Sequence, residues 1–75
     1  MQVTIGTEWA SYEGTRRSYA VTLSEDDINT EGMNKAQIFN KLNVSAELMM
    51  ISHAVKEGGM STVQAEQRRR ELLNL

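Results

Sequence analysis

His53 is the one imidazole in the chain, and imidazole is the side chain most ready to do chemistry near neutral pH. The residues one helical turn from it are Met49, Met50, Lys56 and Glu57, of which only Glu57 is a good hard ligand. A metal site there would lack donors, so none is expected. The same neighbours suit a histidine held in a helix interface, or a pH-sensitive contact. With no Cys there is no thiol nucleophile, no disulfide and no thiolate metal site. A glycine-rich phosphate loop, a nucleophile motif and a carboxylate pair beside the His are also missing. The chain therefore reads as non-enzymatic and without a cofactor.

Two basic groups, Arg16–Arg17 and Arg68–Arg69–Arg70, are the other candidates. With Tyr12 beside Arg16 they could contact phosphates and stack on bases. Against this, the net charge is −2, and consecutive arginines on a helix point in different directions. Pairing with Glu66 and Glu71, with Glu66–Arg70 at helical spacing, is the simpler reading. The acids Glu25, Asp26 and Asp27 follow Ser24 and suit the positive end of a capped turn. They could also form an acidic patch for a basic partner, including the arginines of a neighbouring copy.

Residues 2–23 alternate like two strands. Val3, Ile5, Thr7 and Trp9 share one face, and Arg17, Tyr19, Val21 and Leu23 share another, with a turn signal at Tyr12–Thr15. An odd-numbered loop such as Glu13-Gly14-Thr15 puts both apolar sets on one side. It would pair Trp9 with Tyr19, Thr7 with Val21 and Ile5 with Leu23. The hairpin's outer edges would stay unpaired. Residues 24–33 read as an acidic connector ending in a loop at Gly32.

Residues 34–57 read as one long helix capped by Asn34 and Gln37. Val44, Leu48, Ile51 and Val55 fall on one line. Phe39, Leu42, Ala46, Met49, Met50 and His53 fall roughly opposite. A helix apolar on two sides must be covered on two sides, and so short a chain is expected to lack the material. Asn43 and Ser45 are poor interior residues and leave a kink open there. Gly58-Gly59 ends the helix, and Ser61 with Gln64 caps a last one reaching about Asn74. Its apolar positions Val63, Ala65, Leu72, Leu73 and Leu75 are sparse.

The stretch Gly58-Gly59-Met60-Ser61-Thr62-Val63-Gln64-Ala65, then Glu66-Gln67-Arg68-Arg69-Arg70-Glu71-Leu72-Leu73, resembles the short C-terminal domain known as SHOCT over residues 51–75. It departs from that pattern at Gly59, an aliphatic position, and Ala65, an aromatic one. The resemblance implies an oligomerisation or adaptor module of a bacterial or phage protein, and no catalytic residues.

The expected fold is α+β in one small domain: hairpin 2–23, connector 24–33 and helical hairpin 34–75, in the order ββαα. At 75 residues the core alone stabilises little, and without Cys or metal the usual reinforcement left is association. The expected function is that of a homo-oligomer, a dimer by preference, binding an unidentified protein partner. Either stripe of the long helix could be the interface: Phe39, Leu42, Met49, Met50 and His53, or Val44, Leu48, Ile51 and Val55. Size and pattern suit a phage or mobile-element accessory protein that inhibits a host factor, or that sequesters an anionic ligand with Arg68, Arg69 and Arg70. The alternative is a nucleic-acid-binding regulator using Arg16, Arg17 and Arg68–Arg70. No apolar run matches a membrane span and no secretory signal is evident, so the cytoplasm is the expected compartment.

Overall fold

A computed structural model describes residues 1–74. Strands β1 (Gln2–Ala10) and β2 (Arg16–Ser24) form an antiparallel hairpin. A short 3-10 turn at Glu25–Asp27 leads through the connector to α1 (Lys35–Lys56), and α2 (Thr62–Leu73) closes the chain. This is the expected ββαα order. Leu75, one of the apolar positions assigned to the last helix, lies outside the described residues.

The hairpin keeps the expected faces but not the expected register. Trp9 pairs with Arg17, Thr7 with Tyr19, Ile5 with Val21 and Val3 with Leu23. Each pairing is two residues from the one read in the sequence. The cause is the turn. Gly14 N–H donates to the Ser11 carbonyl at 2.9 Å, and Ser11 N–H donates to the Thr15 carbonyl at 2.8 Å. The three-residue loop is thus Tyr12-Glu13-Gly14, a turn followed by one residue with positive φ. That residue is Gly14, at φ 86°, and it must come last in the loop. A loop of Glu13-Gly14-Thr15 would have put Thr15 in that conformation. Because the slip is even, no side chain changes face.

Helix α1 is continuous through Asn43–Ser45. The Asn43 amide donates to the Phe39 carbonyl at 2.8 Å, so its polar group is satisfied along the helix rather than against it. Asn34 and Gln37 bond each other's backbone N–H at 2.9 Å, as their spacing predicts. At the other end Gly59 N–H reaches the Ala54 carbonyl (2.7 Å) and Gly58 N–H the Val55 carbonyl (3.2 Å). With Gly58 at φ 81°, this is the Schellman arrangement. Ser61 and Gln64 cap α2 in the same reciprocal way as Asn34 and Gln37 cap α1.

The core joins Val3 and Val21 of the hairpin to Ile38, Leu42, Ala46, Met50 and Ile51 of α1 and Ala65 of α2. The Tyr19 and His53 rings stack with centroids 3.6 Å apart and planes 13° apart, fixing α1 to the hairpin. The corner between the helices lies on Trp9, where a Cβ built on Gly59 would sit 2.4 Å from the indole. Helix α2 covers the side of α1 that carries Glu47. The hairpin and α2 therefore supply both covers of α1, and the expected shortage of material is corrected to a partial one.

Candidate interaction surface

Stripe positions on α1 divide by depth. Leu42 and Ile51 are fully buried and Met50 nearly so, all by contacts within the single chain, so they offer no surface to a partner. Val44, Leu48, Val55 and His53 are half-buried. Phe39 and Met49 remain about half exposed, at 53% and 50%. On α2, Val63 and Leu73 are also exposed, while Ala65 is buried and Leu72 half-buried. Of the two stripes offered as interface, Phe39 and Met49 are the residues with apolar area to spare.

The arginines do not gather. Arg68 donates to both carboxylate oxygens of Glu47 (2.8 and 3.1 Å) and to Glu71 (2.9 Å). The paired hydrogen bonds to Glu47, then the bond to Glu71, hold its guanidinium still more firmly in the charged form than usual. Arg69 reaches Ser52, at 3.4 Å. Arg16 lies on the hairpin's outer face, 3.3 Å from Glu8, with α1 on the other side of the sheet. The expected Glu66–Arg70 pair is not formed; Arg68 makes the ion pairs of α2 instead. Tyr12 sits at the turn, fully exposed. A groove between the helices, lined by Met50, Ile51, Met60, Glu47 and Arg68, is shallow and open.

The acids after β2 also separate. Asp27 accepts from both the N–H (2.8 Å) and the hydroxyl (3.3 Å) of Ser24, so the carboxylate, not the serine, makes the capping bond. Glu25 pairs with the Met1 amino group at 2.8 Å. Asp26 and Arg17 make no ion pair among the described residues.

The hairpin edges carry a row of unanswered backbone polar groups. Two bonds mark the ladder's alternation: Ser11 N–H to Thr15 O near the turn, and Glu25 N–H to Met1 O (3.2 Å) at the far end. In an antiparallel pair, hydrogen-bonded and non-hydrogen-bonded pairs alternate. The odd-numbered pairs are therefore bonded within the hairpin. The even-numbered residues aim their N–H and C=O outward: Gln2, Thr4, Gly6, Glu8 and Ala10 on β1, and Arg16, Ser18, Ala20, Thr22 and Ser24 on β2. Only Ser24 N–H finds a partner, Asp27, among the described residues. All these residues but the half-buried Ser24 are exposed. This signal was readable in the sequence as unpaired edges; which groups face out depended on the register.

Among the described residues no group of acids or histidine is placed to hold a metal ion, and no helix is long and apolar enough to cross a membrane. No known protein family, curated protein or solved structure matches the chain. The likeness of residues 51–75 to the SHOCT domain thus rests on its motif alone.

Proposed function

We propose that this chain is a non-enzymatic interaction module of the cytoplasm that works as a homo-oligomer, a dimer by preference. One observation carries the reading. A two-stranded sheet of nine-residue strands leaves both edges open in a chain with no Pro. Such edges bind other strands unless they are short, bulged, charged or covered. Exposed Phe39 and Met49 add apolar area on α1. The nucleic-acid reading is weaker, because Arg68 is engaged by two carboxylates and Arg16 lies apart from the arginines of α2. Binding or inhibition of a host factor, as by a phage accessory protein, would be a use of the same surface.

Light scattering on the chain at micromolar to tenth-millimolar concentration tests the proposal. The expected mass is a multiple of 8.5 kDa. A monomer mass across that range would refute it.

A further inference from the structure

We infer that the oligomer forms by antiparallel pairing of β2 with β2 of a second copy, about a two-fold axis at Ala20. The inference rests on the homo-oligomer reading and names its surface. Strand β2 is free of charge from Ser18 to Ser24 and has no Pro or Gly, so nothing in that run repels another strand. Its two ends carry opposite charge: Arg16 and Arg17 begin it, and Glu25 and Asp26 directly follow it.

Antiparallel pairing about Ala20 sets Arg16 opposite the partner's Ser24, and Ser18 opposite the partner's Thr22. Both members of each such pair are even-numbered, so outward N–H groups meet outward C=O groups along the strand, save at Ser24, whose N–H stays with Asp27 and whose C=O alone takes part. Glu25 and Asp26 of one copy, the first residues of the 3-10 turn, then lie just beyond the position that faces Arg16 of the other, with Glu25 also holding the Met1 amino group of its own copy. An arginine side chain spans that offset. The two-fold repeats the contact at the far end, and opposite charges facing across strands favour the pairing. Asp26, without an ion pair among the described residues, gains one with Arg16 of the other copy.

Strand β1 has no such ends. Its one charged residue is Glu8, already beside Arg16, and Gly6 weakens its middle.

The helices fit the same arrangement. Helix α1 packs on residues of both strands, so it rides over the middle of the hairpin. Pairing at β2 sets the two α1 axes two strand spacings apart, about 9.6 Å. Packed helices sit about 8–10 Å apart. The result is a four-stranded sheet, in the order β1-β2-β2-β1, with two α1 helices side by side on one face.

Amide hydrogen exchange by NMR on the unaltered chain, at a concentration where scattering shows the oligomer, is the first test. The N–H groups of Ser18, Ala20 and Thr22 should exchange at least tenfold more slowly than those of Thr4, Gly6 and Glu8, which face out on β1. Equal exchange on both edges in a proven oligomer would overturn the β2 interface while leaving self-association intact. A monomer mass would remove both.

Charge exchange is the second test. Arg16→Glu with Arg17→Glu should fall to monomer mass, as should Glu25→Lys with Asp26→Lys. An equimolar mixture of the two variants should regain the dimer mass, because each basic end then meets an acidic one. Oligomers that ignore both changes would overturn the pairing.

Discussion

Gly59→Ala isolates the contact that locks the helical corner to the hairpin. The added carbon would lie 2.4, 2.6 and 2.8 Å from Cδ2, Cε2 and Cε3 of Trp9. Carbon atoms rest at about 3.5–4.0 Å, so three atoms of one rigid ring overlap by about 0.7–1.6 Å. The indole is half-buried, with its Nε1 buried and without a hydrogen-bond partner among the described residues. Forcing an extra carbon into such packing costs about 1–3 kcal/mol. A chain of this length holds about 4–11 kcal/mol in all, by the usual per-residue stability, so the loss is a sizeable share. Each kcal/mol lowers the midpoint of thermal unfolding by about 4–8 °C at this size. Trp9 is the chain's one tryptophan, so its emission reports the site directly. Urea unfolding followed by that emission should show both a lower midpoint and a red-shifted folded baseline. Gly58→Ala is the control. Its added carbon meets no atom within 4 Å, but the φ of 81° strains any L residue by about 1–2 kcal/mol. It should lower the midpoint and leave the folded emission unchanged. A Gly59→Ala chain with unaltered midpoint and emission would refute the packing argument.

Other residues give simpler tests. Leu42→Ala opens a hole in the fully buried centre of α1 and should cost about 2–5 kcal/mol in urea unfolding. Phe39→Ala and Met49→Ala lie on the same stripe but half outside, and each should shift monomer stability by only about 0.5 kcal/mol. Glu47→Gln weakens the paired bonds that tie α2 to α1, so hydrogen exchange should quicken along α2. The difference from the unaltered chain should shrink in 1 M salt if the tie is ionic, since the Debye length falls to about 3 Å there. Gly14→Ala should destabilise the hairpin by about 1–2 kcal/mol through φ alone, because open space surrounds the added carbon.

Much of the fold was legible because its causes are local. Asn34 with Gln37, Ser61 with Gln64, and Gly58 after Lys56 each act within a turn of helix, so spacing alone finds them. Period-two alternation found both strands and the face they bury. The register was within reach too. Gly14 is the one loop residue suited to positive φ, and its place at the end of the loop, rather than its middle, sets every pair in the sheet. What spacing could not reach were contacts between residues far apart in the chain. Arg68 lies 21 residues from Glu47, and no helical spacing on α2 alone distinguishes that partner from Glu66 or Glu71. The stacking of His53 on Tyr19 and the seat of Trp9 on Gly59 are of the same kind.

By itself the sequence determined the four elements, their caps, and the apolar faces that had to be buried. Tertiary structure decided which apolar residues stay outside. A helical wheel ranks Leu42, Met49 and Phe39 alike, because it knows direction around one axis. How far the hairpin and α2 extend over that axis depends on two other segments, and their reach leaves Leu42 dry and Phe39 and Met49 half in water.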